Sequence, residues 1–174
     1  MRAARAGLYI SRYTPPWASH LPILSRVMEV SKGPVMECGM GAHSTPIMHM
    51  FCQEQGRQLY SYEENPEWYK AHWAWATSFH KIEFVVNWDS IPIESQHWGV
   101  IFIDHAAERR AIDAIRAAKF ADFVILHDSN GRYQGEYHYE KVYPFYTYRY
   151  IYHKTVNHTT ILSNFIPVHT LWTI

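Results

Sequence analysis

Apolar positions along the chain change their spacing several times, and each change marks an element. Leu21, Leu24, Val27 and Met28 recur at intervals of three and four, which predicts an amphipathic helix over 20–30, and Lys32-Gly33-Pro34 ends it. Residues 34–38 are too few for a helix and read as a strand, followed at once by Gly39-Met40-Gly41. Ser44 or Thr45 is placed to cap the next helix, with Pro46 in its first turn and Gly56 just past its end near Gln55. The alternation then continues. A strand over 58–63 leads to Asn65-Pro66-Glu67, a cap, a first-turn proline and a favourable acid, which open a helix to about Ser78. Strands follow over 82–86 and 99–104, the second almost wholly apolar and so buried on both faces. A helix over 107–119, with Ile112 and Ile115 inward, precedes a fifth strand over 122–127.

Strand and helix alternating in this way predict a parallel sheet with right-handed crossovers and helices on both faces, a three-layer α/β/α domain. The tail differs. Residues 146–153 alternate strictly, Val156-Asn157 can turn, and 159–165 is β-branched and apolar, so an antiparallel hairpin is expected at one edge. Between the fifth strand and this hairpin, residues 131–143 read as a loop. The expected plan is a single domain over 1–174: an N-terminal arm and helix (1–30), the βα units (34–128), a loop region (131–145) and the hairpin (146–165).

Composition narrows the picture. A chain of 174 residues, 48% hydrophobic and 18% charged, has the make-up of one ordinary globular domain. Its formal charge is zero, so no nucleic-acid partner is expected. No apolar run is long enough to cross a membrane, and nothing behind Met1-Arg2-Ala3-Ala4-Arg5 resembles a secretory leader, so the expected location is the cytoplasm. Cys38 and Cys52 are too few for a disulfide framework and are expected reduced and buried. Eight of the thirteen tyrosines fall between Tyr133 and Tyr152; those at 146, 148, 150 and 152 share a strand face and suit sheet packing or a subunit interface. The aromatic edge makes a homo-oligomer a possible state.

Ligands of open α/β sheets bind beyond the carboxyl ends of the strands. Those ends carry Glu37 to Ser44, then Glu63, then Asp89, then Asp104-His105, then His127-Asp128-Ser129. An acid at all five exceeds what helix capping requires. Gly39 and Gly41 let backbone approach a ligand, and the next helix N-terminus offers free N–H groups. A dinucleotide fingerprint would want Gly or Ala at Ser44, and Glu37 would repel a pyrophosphate while suiting the ammonium of an amino acid. No Gly-Lys-Ser/Thr follows, which excludes a P-loop.

Glu37-x-Gly39-x-Gly41, Glu63 within Tyr62-Glu63-Glu64-Asn65-Pro66-Glu67, and Asp104 after Val100-Ile101-Phe102-Ile103 together resemble the class I S-adenosylmethionine-dependent methyltransferase superfamily, nearest in pattern to small-molecule O-methyltransferases. The likeness spans about residues 34 to 165 and implies a Rossmann-like fold of five parallel strands plus the hairpin. It implies that Glu37 with the loop Gly39, Met40, Gly41, His43 and Ser44 holds the methionine part of S-adenosylmethionine, with Asp104 close by. Glu63 would take both ribose hydroxyls, and Trp88 with Asp89 would border the adenine. His43 stands where a third glycine is common.

On the acceptor side, acids at the places of Asp104 and Asp128 hold a divalent ion in several similar O-methyltransferases, so Mg²⁺ is an expected second cofactor. Alternatively His105 or His127 serves as general base. Tyr13 and His20 in the arm, Arg109 (or its neighbour Arg110), Arg132 and Tyr133 are candidate substrate contacts. The sequence thus favours methyl transfer to a small polar acceptor, at oxygen before nitrogen. Two other readings stay open: a non-catalytic binding or scaffold module, and a metal-dependent enzyme of another reaction type.

Overall fold

Val35–Cys38 forms β1, the strand from which the sheet grows in both directions, in a computed structural model that describes residues 15–172. The other strands are β2 (Leu59–Glu63), β3 (His80–Phe84), β4 (Trp98–Ile103), β5 (Ala121–Leu126), β6 (Tyr148–Tyr152) and β7 (Thr159–Ser163). They lie in the order β3-β2-β1-β4-β5-β7-β6. The first five are parallel, and β7 enters antiparallel between β5 and β6, so the hairpin caps one edge as its alternation predicts. The order reverses between β1 and β4, where Cys38 stands beside both Tyr62 and Ile103. Three carboxyl ends therefore open at one point.

Among the described residues five α-helices accompany the sheet: α1 (Leu21–Val30), α2 (Ser44–Gln55), α3 (Pro66–His72), α4 (Ala107–Ala117) and the single turn α5 (Gln134–Tyr137). One core joins Ile23, Leu24, Val27 and Met28 of α1 with Met48 and Cys52 of α2 against Val35, Val100, Phe102 and Phe123. The other joins Met36, Ile101, Ile103 and Val124 with Trp88, Trp98, Ala114 and Ala117. Val100 and Phe102 thus face one core while Ile101 and Ile103 face the other, which explains the unbroken apolar run of β4. Each such side chain contributes about 1.5–3 kcal/mol when buried. Both free cysteines are buried. No described helix is long and apolar enough to cross a membrane.

The structure departs from the sequence expectation in four places. α3 stops at His72 and a 3₁₀ turn takes Trp73–Trp75, because Thr77 N–H donates to His80 O and His80 N–H to Thr77 Oγ1 in a turn that starts β3 two residues early. Ile112 is exposed, and α4 buries Arg110 and Asp113 with Ala114 and Ala117; its inner face is polar because it meets the loop after β4. Residues 131–145 are not a plain loop: α5 and three 3₁₀ turns seat Tyr137, Tyr139 and Val142 in the core. Tyr146 precedes β6 and turns to the α4 side, donating its hydroxyl to Ala114 O at 2.5 Å, while Tyr148, Tyr150 and Tyr152 pack on the α1 side.

Candidate functional site

The loop after β1 is shaped by its neighbour. Gly39 has φ +88°, and a Cβ there would lie 2.4 Å from Asp104 O and 2.8 Å from His105 Cα. Only glycine lets the β1 and β4 loops press together this closely. Gly39 N–H donates to Tyr62 O and Asp104 N–H to Cys38 O, locking the three strand ends.

Beneath the loop lies Glu37, fully buried. Ser44 Oγ donates to it at 2.7 Å, Thr45 Oγ1 at 2.9 and 3.0 Å, and Ser61 Oγ at 2.6 Å. The two hydroxyls expected to cap α2 are therefore committed to Glu37, and His43 occupies the cap position without a side-chain bond. Burial raises the Glu37 pKa to about 7, with the hydroxyls countering only part of it. Ser61 Oγ also lies 2.9 Å from His80 Nε2, and His80 Nδ1 lies 3.0 Å from His49 Nδ1.

Above the loop opens a cavity of about 710 Å³, walled by the segment Met40 to Ser44, by Glu63, Glu64 and Trp68, by Asp104, His105 and Ala106, and by Trp17 and His20. Glu63 ties its sides together. Its Oε2 accepts from Met40 N–H at 2.8 Å and its Oε1 from Asn65 N–H at 2.7 Å, leaving lone pairs on both oxygens. Burial raises its pKa. Asn65 Oδ1 caps α3 by accepting from Glu67 and Trp68 N–H, which brings the Trp68 indole, 46% exposed, to the cavity rim.

Asp104 marks the other end. Its Oδ1 pairs with Arg110 Nη2 at 2.8 Å and its Oδ2 meets His127 Nδ1 at 3.0 Å. Burial would raise its pKa, but His127 and Arg110 outweigh that and lower it to about 2. For His127, burial pulls the pKa down and Asp104 more than reverses this, so it is raised. His127 Nε2 lies 2.9 Å from Ser19 Oγ. His20 packs between Phe102 (5.0 Å) and His127 (4.6 Å) with neither ring nitrogen hydrogen-bonded. Burial first, then His127, lowers its pKa to about 3.

The cavity thus gathers the loop residues Met40, Gly41, His43 and Ser44 with Glu63, Asp104 and His20. Other expected contacts stand elsewhere. Glu37 lies under the loop rather than in the cavity. Trp88 is buried against His105 with its indole N–H on Glu64, and the exposed Asp89 pairs with Arg109 at 2.7 Å; neither lines the cavity. His105 borders the cavity, but its side chain is fully buried and bonded to Asp113 at 2.9 Å. Arg109 binds Asp113 as well as Asp89. Arg132 is exposed and donates to Asn157 and Tyr133, with Tyr133 stacked on Tyr137. Tyr13 lies outside the described residues.

Asp104 and Asp128 do not fit as a Mg²⁺ pair. The Arg110 guanidinium lies between them, 2.8 Å from one and 3.9 Å from the other, and Asn157 donates to Asp128 Oδ1. A fixed cation holds the place the ion would need. Sequence reasoning also missed Trp17, Ser19, Glu64, Trp68 and the buried role of Arg110. For Trp68 a signal existed, since a helix capped at Asn65 directly after Glu63 must turn its first residues toward the same opening.

A seven-stranded sheet reversed at β1/β4, with a glycine loop and an acid closing β2, defines a Rossmann-like α/β protein with a cavity at the switch point. No protein-family model matches the sequence, and no curated protein matches it. Among solved structures, cofactor-bound Rv0187 from MTB superposes with TM-score 0.62 at 14% identity, covering 95% of this chain and 91% of that one. The O-methyltransferase from Bacillus cereus in complex with SAH gives 0.60 at 11%, covering 94% and 90%. The METTL16 MTase domain gives 0.59 at 10%, covering 87% and 69%. The chain has the fold of the class I S-adenosylmethionine-dependent methyltransferases.

Proposed function

We propose that the cavity binds S-adenosylmethionine and that the chain transfers its methyl group to a small polar acceptor, at oxygen. One observation carries the reading: the Glu63 carboxylate, with free lone pairs on both oxygens, faces the cavity across from the glycine loop. A carboxylate so placed can accept both hydroxyls of a ribose. Trp68 then offers an exposed indole for a purine, and the N-terminus of α2 offers its N–H groups to the amino-acid carboxylate. The bound cofactor would supply a sulfonium methyl group for in-line displacement. The chain's part is alignment, a contribution worth about 7–11 kcal/mol in well-oriented reactions. Asp104, kept ionised by Arg110 and His127, accepts a hydrogen bond from the acceptor hydroxyl. Asp104 would orient that hydroxyl toward the methyl group the cofactor supplies, and with its pKa at about 2 it would pass the proton on to solvent rather than keep it.

Calorimetric titration with S-adenosylhomocysteine tests it. One saturable site is expected, with affinity falling at least about tenfold in Glu63→Gln, as for loss of charge-assisted hydrogen bonds. No heat and no shift in Tm with either cofactor form would overturn the reading. Binding without turnover across a panel of hydroxylated and amino acceptors would reduce the chain to a binding module.

A further inference from the structure

His20 is 2% exposed, and neither nitrogen of its ring has a partner. A buried polar group left this way calls for a partner, and an ion is one that both the ring and its neighbours can hold. It does not stand alone. One donor atom each from His20, Asp104 and His127 lie within 4.8 Å of one another. We propose that these three side chains bind a divalent transition-metal ion of the zinc class, in a site with an open side toward the cavity.

The donor set selects the ion. Two imidazole nitrogens and one carboxylate oxygen suit Zn²⁺ or Fe²⁺ and are a poor match for Mg²⁺, which prefers oxygen. The supporting contacts are already built. Ser19 Oγ holds His127 Nε2 at 2.9 Å, which leaves Nδ1 directed at Asp104. Arg110 holds Asp104 Oδ1, which leaves Oδ2 as the ligating oxygen. Such outer contacts orient metal ligands and tune them. The ion would take the place of the proton between His127 Nδ1 and Asp104 Oδ2; in the neutral ring that proton moves to Nε2, where Ser19 Oγ can accept it. His20 and Asp104 border the cavity, and the vacant coordination positions face a bound small molecule there. The proposal goes beyond the methyl-transfer reading and stands on these contacts without it.

Chelator-treated full-length protein titrated with Co²⁺ provides the test. Visible d–d bands saturating at one equivalent are expected, displaced by Zn²⁺ and unaffected by Mg²⁺. Zn²⁺ at 100 times its Kd raises Tm by about 5 °C or more. His20→Leu and Asp104→Asn abolish the bands. Ser19→Ala keeps all three ligands and weakens binding about tenfold. That variant decides the matter if His20→Leu fails to fold. Absence of a saturable band, or a band unchanged in Ser19→Ala and His20→Leu, overturns the site and assigns the ion to other histidines. S-adenosylhomocysteine titrated into the same samples separates the two readings: binding without a band sinks only the metal site, and a band without binding sinks only the cofactor site.

Discussion

Glu37 in β1 and Asp104 just past β4 stand at the ends of adjacent strands, yet their surroundings differ in kind. Three neutral hydroxyls surround Glu37, and a guanidinium and an imidazole surround Asp104. Burial acts on both. Hydroxyl dipoles fail to offset it and the first pKa climbs to about 7; two basic partners more than offset it and the second falls to about 2. A carboxylate ringed by dipoles becomes a protonatable post that props up the loop, whereas one paired with a fixed cation remains an anion able to meet a ligand. The two acids look alike in the sequence. Their partners make them different.

The largest way to break this comparison is to force the two regions apart. Gly39→Ala places a methyl against the Asp104 carbonyl at positive φ, and a loss of about 4 kcal/mol or more is expected, read from urea unfolding. A variant as stable as the parent would mean that the loops are not locked together. Next comes pH. The raised pKa of Glu37 gives stability that is complete below about 4.5 and lost as pH rises through 7, roughly 3 kcal/mol in all. The depressed pKa of Asp104 does the reverse: its contribution is present above about 3.8 and lost as pH falls through 2, roughly 2 kcal/mol. Glu37→Gln therefore flattens the neutral limb of the stability curve and Asp104→Asn the acid limb; unfolding curves that stay parallel to the parent's in both windows would refute the contrast. The smallest effect on stability belongs to the rim. Trp68→Ala changes it by less than about 0.5 kcal/mol, yet weakens S-adenosylhomocysteine binding about tenfold through lost stacking. Unchanged affinity would take Trp68 out of the site.

The fold was legible because β4, the Gly39 turn and the Asn65-Pro66-Glu67 cap each obey local rules, and because the tail changes period at the hairpin. Glu63 and Asp104 were legible for the same reason, as acids at strand ends. What the sequence hid was commitment between distant residues. Asp89 reads as a neighbour of the adenine and Arg109 as a substrate contact until the fold pairs them with each other, and Arg110 reads as a solvated helix residue until α4 turns inward beneath Asp104. His20 reads as a candidate substrate contact in the N-terminal arm, and only tertiary packing places it against His127. Periodicity reports which face is apolar. It cannot report that an inward face is charged because a second set of charges awaits it.

The chain of contacts behind Glu37 has one more consequence. Ser61 owns a single hydroxyl proton and has two neighbours, Glu37 and His80. While Glu37 is ionised it takes that proton, so His80 must carry its own on Nε2; burial lowers the His80 pKa to about 4, keeping the ring neutral and its Nδ1 bare. His49 Nδ1–H then points toward His80. Once Glu37 is protonated it can donate to Ser61, Ser61 to His80 Nε2, and His80 Nδ1–H to His49. Each of these bonds can then reverse its polarity, with a change of tautomer at both rings. The charge of one carboxylate under the loop is thereby written at His49, beside Trp75, as the choice of which ring nitrogen holds the proton.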